Sequence, residues 1–221
     1  MVQVRFWVVL FFSVLTVGVS GAETLPRSGM EFMQKNYASA FREANKEAKS
    51  GSKNAYFLLG LMYSNGLGVP QDYSTAAAWF QKAADKGDAA SHYELAKMYS
   101  SGLGVPEDRL KAMKFLDKPA EAGLLPAMYD YGVAYKAGFG GKPDYVLAHK
   151  WLNLAASYPE IEPLGLIVRK ARVLRSEVEK LMTAEQIQDA QLLATNWHMA
   201  KKERDEALFK AMERSTSRPP R

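Results

Sequence analysis

The chain contains no cysteine, so no disulfide staples it, no thiolate serves as nucleophile or metal ligand, and the cysteine on which bacterial lipid anchors are built is missing. Histidine is nearly as scarce. His92, His149 and His198 lie far apart in sequence and none has a helical partner of the HExxH kind, so no metal or other cofactor is expected. Charge of either sign is not in excess: 29 basic against 24 acidic side chains give +5. No basic stripe interleaved with aromatics appears, so nucleic acid is not an expected partner. The GLG turns at Gly66 and Gly102 lack the preceding strand and the third glycine or Lys-Thr of a phosphate loop. They read as structural turns.

What is present begins with an unusual N-terminus. Arg5 supplies a positive start, residues 6–19 form an apolar run of 14, and Ser20, Gly21 and Ala22 place small residues where a signal peptidase reads. Residues 1–22 are therefore expected to be a secretory signal cleaved after Ala22. The alternative, an uncleaved anchor, calls for roughly 18 to 20 apolar residues. Cleavage would remove Arg5 and leave 28 basic against 24 acidic side chains, a net of +4. The expected location is periplasmic or secreted, without a membrane span in the mature chain.

Beyond that segment, LMYSNGLGVPQD at residues 61–72 returns 36 residues later as KMYSSGLGVPED, and a third copy, VAYKAGFGGKPD, starts at Val133. Residues 55–90 and 91–126 align without a gap at 14 identities in 36, where ordinary composition gives roughly two. A fixed period of this length marks a repeat array.

Each copy reads as two antiparallel helices. Ala55, Leu59, Met62 and Tyr63 share one face at spacings of three and four. Gly66 and Gly68 end that helix, with Pro70 unable to continue the ladder. Asp72 is placed to cap the second helix, and Asn36, Asp108 and Asp144 recur at its register. Ala76, Trp79, Phe80, Ala83 and Ala84 form the next buried stripe, and Gly87 closes it; Ser52 and Asp88 precede the first helices as caps. Gly60, Ala96 and Gly132 occupy equivalent places, as do Ala76, Ala112 and Ala148, so paired backbones can approach closely. Trp79, Phe115 and Trp151 recur with Tyr63, Tyr99 and Tyr135, and with Leu59, Leu95, Gly102, Gly104, Gly138 and Gly140 they complete the structural repeat positions. One such aromatic, worth about 2 to 3 kcal/mol when buried, needs a neighbouring hairpin to cover it.

The pattern extends both ways. Asn36, Tyr37, Ala40, Ala44, Ala48 and Gly51 match the second half of a repeat. Ile167, Ala171, Leu174, Val178 and Leu181 keep helical spacing, and Thr183 with Gln186 forms a capping box before a helix whose inner face is Ile187, Ala190, Ala194 and Trp197. From residue 201 the chain is dense in charge, with a fraying helix and a disordered tail expected from about Ser215. Pro119 stands inside a second helix, which predicts a kink or a shortening there.

These units resemble the Sel-one-like repeat (SLR) family, whose pattern LGxxYxxGxGVxxDxxxAxxWxxKAAxxG the first copy meets at Leu59, Gly60, Tyr63, Gly66, Gly68, Val69, Asp72, Ala76, Trp79, Lys82, Ala83, Ala84 and Gly87. The second copy departs at Ala96, Phe115 and Pro119, the third at Tyr131, Gly141 and Leu154. The resemblance implies an all-α, tetratricopeptide-type fold, a right-handed α-α superhelix of about three 36-residue helix-turn-helix repeats with helical caps. It implies a scaffold that binds proteins and no reaction. The expected organisation is a signal at 1–22, an N-terminal half-repeat cap at 23–54, repeats at 55–90, 91–126 and 127–158, capping helices at 159–200, and a charged tail at 201–221.

Ser50 and Lys53 make an SxxK, and some cysteine-rich relatives of this family are linked to β-lactam binding, but the companion SDN and KTG motifs are missing. An exposed helix end accounts for the pair. On the first helices Phe57, Tyr93 and Tyr129 fall in register, with Leu61, Lys97 and Val133 one turn further on. Two readings of that row stand open, an exposed ladder for an extended partner and rings packed on the adjacent repeat. The expected function is a monomeric, non-enzymatic adaptor for a protein partner in the periplasm. The alternative is an envelope protein that binds peptidoglycan or assists wall enzymes, and a β-lactam hydrolase stands third.

Overall fold

In the computed structural model, which describes residues 26–216 and their side chains to residue 210, those residues form ten α-helices and no strand. Residues 1–25, which include the expected signal, and residues 217–221 lie outside the described residues. The helices are α1 (Arg27–Met33), α2 (Tyr37–Lys49), α3 (Lys53–Asn65), α4 (Tyr73–Asp85), α5 (Ala89–Ser101), α6 (Arg109–Glu121), α7 (Leu125–Ala137), α8 (Tyr145–Ala156), α9 (Gly165–Glu179) and α10 (Ala184–Thr216). The chain separates into two compact units, the first ending at Ala127 and the second beginning at Met128.

In the first unit α3, α4, α5 and α6 each start where a short polar side chain satisfies free backbone N–H groups. Ser52 accepts from the Ala55 amide, Asp72 from Ser74 and Thr75, Asp88 from Ser91 and Asp108 from Lys111. Asn36 departs from this series. It makes no side-chain cap for α2, and its amide donates instead to Glu31 Oε2 at 2.8 Å. That glutamate belongs to α1, a seven-residue helix the periodicity did not predict, whose Phe32 is buried and meets Tyr37 edge-on at 5.4 Å.

The hairpins α3–α4 and α5–α6 pack internally, and α4 packs in turn on α5. Gly60 explains the closeness of the first pair, since a Cβ there would lie 2.5 Å from the Phe80 ring. Gly68 and Gly104 set the step between successive units. Both hold positive φ, and a Cβ on Gly104 would stand 2.3 Å from the backbone of Tyr73, at the start of the preceding copy's second helix; on Gly68 it would stand 2.8 Å from that of Tyr37. The turn of each copy thus seats its backbone on the first residue of α2 or α4.

Two expectations meet corrections here. α6 is not shortened by Pro119: it runs the same 13 residues as α4, with Pro119 buried near its C-terminal end. So late in the helix, the missing N–H removes a single bond, and Leu124 N still donates to Pro119 O at 2.9 Å. Trp79 sits at the edge of its stripe, part-buried, stacked on Tyr56 at 5.7 Å with Lys82 Nζ 4.0 Å from its ring centre, while Ala76, Phe80 and Ala83 are fully buried. Tyr63 meets Phe41 and Tyr99 stacks on Phe115.

In the second unit Gly132 repeats the role of Gly60, its missing Cβ leaving room for Leu152. Tyr131, Tyr135 and Trp151 cluster with ring centres 4.7 to 5.2 Å apart. Asp144 caps α8 through the Leu147 amide. Positive φ falls at Gly138 and then at Gly141, where the earlier copies place it at the register of Gly140. α9 and α10 both pack on α8. The buried stripe of α9 is Val168, Ala171 and Val178, and Leu181 lies past its end, exposed, contrary to the periodicity. Thr183 and Gln186 exchange backbone N–H bonds as a capping box, and Ala190, Ala194 and Trp197 are buried below it. α10 continues through the charged segment to Thr216, carrying Lys201–Asp205 and Lys202–Glu206 pairs one turn apart.

Candidate functional site: a cleft between first helices

α3, α4 and α5 together line a cleft of about 250 Å³. α3 contributes Leu61, Ser64 and Asn65, α4 contributes Tyr73 and Phe80, α5 contributes Glu94, Lys97, Met98 and Ser101, and Leu103 follows from the turn. Phe80 is fully buried and Leu103 stands out at 45% exposure, so these two mark the inner and outer limits.

Glu94 is the unusual member. It is 7% exposed, and its Oε2 accepts from Lys97 Nζ at 2.8 Å, one turn along the same helix. Oε1 has no hydrogen-bond partner. Burial pushes the carboxyl up from its ordinary value, and the Lys97 ammonium opposes that shift through charge and hydrogen bonding. Nearby donors are already used: Ser64 Oγ and Asn65 Nδ2 donate to Leu61 O, and Ser101 Oγ donates to Lys97 O. The Tyr73 hydroxyl accepts from Gln71 Nε2 at 2.9 Å.

Of the row read from sequence, Leu61 and Lys97 meet in this cleft. Phe57 and Tyr93 do not form an exposed ladder: Phe57 is 1% exposed and packs 5.8 Å from Phe80, and Tyr93 is 7% exposed with Lys97 Nζ 5.3 Å from its ring centre. Both rings are buried, and the contacts named lie within their own repeats. Tyr129 and Val133 are part-buried in the second unit, where burial and then the charges of Asp130 and Glu177 push the Tyr129 hydroxyl up. Glu94, Ser64, Asn65 and Ser101 were missed. The available signal was Glu94 itself, which stands where the first copy has the buried Leu58.

The other motifs are structural. Ser50 Oγ donates to Glu47 O at 2.7 Å at the end of α2, and Lys53 is exposed. His149 is buried with Nε2 2.9 Å from Glu179 Oε1, tying α8 to α9, and His92 Nδ1 lies 2.8 Å from Asp88 O. Among the described residues no three His, Cys, Asp or Glu side chains gather as metal ligands, and no helix is long and apolar enough to cross a membrane.

The Sel1 repeat matches at residues 53–88, 89–124 and 125–157. The chain carries three Sel1 repeats. Each matched span starts with a first helix, at Lys53, Ala89 and Leu125, two residues ahead of the boundaries drawn at 55, 91 and 127 from identities alone. Solved Sel1-type structures share the fold. A Sel1 repeat protein from Oxalobacter formigenes superposes with TM-score 0.60 at 25% identity, over 68% of this chain and 57% of that one. A protective antigen present in uropathogenic Escherichia coli strains and displaying an SLR fold superposes with TM-score 0.52 at 23% identity, over 98% of this chain and 48% of that one. This chain thus spans about half the length of these structures. No curated protein matches its sequence. Sel1 repeats are generally protein-interaction modules.

Proposed function

We propose that this protein is exported, loses residues 1–22, and serves as a non-enzymatic periplasmic adaptor that holds another protein against the cleft lined by α3, α4 and α5. The observation that carries this reading is the cleft itself. It is a place in the first unit where apolar surface, an ammonium and a carboxylate of unmet hydrogen-bonding capacity converge. The repeat frame supports it, because a stack of hairpins presents its first helices as a continuous surface.

Affinity capture from the native envelope, quantified by mass spectrometry, tests the reading with two exposed leucines of similar accessibility. Leu103 is 45% exposed at the cleft and Leu110 is 48% exposed on α6 outside it. Leu103→Asp is expected to lose the partner and Leu110→Asp to keep it. Retention by both variants would overturn the assignment of the cleft. A wall-binding protein would cosediment with purified sacculi, whereas the adaptor is expected to stay in the supernatant.

A further inference from the structure

Glu94 poses a chemical question that the adaptor reading leaves open. A buried acceptor without a partner costs about 1 to 3 kcal/mol, and more when charged, yet Oε1 of this carboxylate has none. The donors of the cleft walls do not supply one: Ser64, Asn65 and Ser101 are spent on carbonyl oxygens of their own helices, and the Tyr73 hydroxyl, which accepts from Gln71, makes no bond to it. Lys97 holds Oε2, which fixes the carboxylate, and Oε1 lies buried without a partner, so a guest must part the side chains of the cleft to reach it. A carboxylate has about four acceptor positions and tolerates two cations at once.

The remaining walls narrow the guest. Leu61, Met98 and Leu103 offer aliphatic surface on the way in. The cleft, at about 250 Å³, falls below the roughly 300 to 1,000 Å³ of a site for a drug-sized molecule. It suits a single long side chain. An acidic guest meets the Glu94 charge, an apolar guest leaves Oε1 bare, and a neutral amide donates to it without bringing a charge of its own. Lys97 would repel an incoming cation, but its side chain is 37% exposed against 10% for Glu94, so water screens the repulsion more than the attraction.

We infer that the cleft receives one lysine or arginine side chain of the partner, its methylene stem lying along Leu61, Met98 and Leu103 and its terminal nitrogen donating to Glu94 Oε1. The inference rests on the adaptor reading and names what the cleft recognises. The stem buries apolar surface while the head keeps a charged partner, which is how such side chains cross from water into a protein surface.

The test uses the full chain and short acetylated, amidated peptides of alanine, leucine, a central residue, leucine and alanine. The central residue is lysine in one peptide and norleucine, which keeps a linear aliphatic stem and lacks the charge, in the other. Calorimetric titration is expected to show the lysine peptide binding about tenfold tighter. Glu94→Gln is expected to erase that preference. Equal or tighter binding of the norleucine peptide to the unaltered chain overturns the inference, as does no binding of either at about 1 mM, or a lysine preference that survives Glu94→Gln. The peptide contrast on the unaltered chain does not depend on how the variant folds. If the preference is absent while Leu103→Asp still abolishes capture of the partner, the cation pocket falls and the adaptor reading stands; if capture also survives Leu103→Asp, both fall.

Discussion

At position 94 the second repeat places a carboxylate on a helix face where the first repeat places Leu58. The pH dependence of stability reports on that exchange. Burial raises the folded-state value of Glu94 above its ordinary 4.5, so its contribution to stability is fully present below about pH 4.5 and is lost as pH rises through the higher folded value. The ionisable groups that line the cleft with it are Lys97 on the same helix and Tyr73 on α4, while α3 adds none. The melting temperature of the unaltered chain minus that of Glu94→Gln is expected to fall as pH rises above about 4.5. A difference that stays flat would mean that the carboxyl is not held up by burial. Much at this scale was legible in the sequence: Ser52, Asp72, Asp88, Asp108 and Asp144 cap the helices they precede, because a cap acts within three residues and needs no tertiary knowledge. Asn36 was misread because its competitor, Glu31, lies on a helix with no periodic signature. The burial of Phe57, Tyr93 and Glu94 was not legible either, since it depends on how closely α3, α4 and α5 pack.

Between elements, the contacts that set helix spacing are pairs of positions one hairpin apart. Gly60 faces Phe80, and 36 residues later Ala96 and Leu116 hold the same registers, so a larger residue on the first helix coincides with a smaller one on the second. Gly60→Ala places a Cβ against the Phe80 ring, an overpacking of about 1 to 3 kcal/mol that is partly offset by the roughly 1 kcal/mol alanine gains over glycine within a helix. Urea unfolding of Gly60→Ala, Phe80→Leu and the double variant is expected to give a favourable coupling of about 1 kcal/mol or more, because the leucine vacates the space the methyl needs. Strict additivity would show that these residues do not set the spacing. The repeat period made this pairing readable as a set of small residues, but not which ring each one faces. Pro119 shows the limit in the other direction: the local rule predicts damage, and the helix keeps its length because the lost bond falls in its last turn.

For the whole molecule the sequence conveys fold far better than site. A period of 36 residues, locally encoded turns and caps, and aromatics that need a neighbour all point to stacked helical hairpins, and the described residues are helices of that kind. The proposed function rests on one cleft of the first unit, where only two of the six residues singled out from sequence, Leu61 and Lys97, come together. A net charge of +5 spread over 29 basic and 24 acidic groups gives weak long-range steering, so recognition there depends on contacts made at close range. Site-specific photocrosslinking in the native cell tests that claim most directly, with a photoreactive amino acid at Leu103 in one strain and at Leu110 in another. The account predicts a discrete protein adduct from position 103 and none of the same mass from position 110. Adducts of equal yield from both positions, or none from 103, would contradict it.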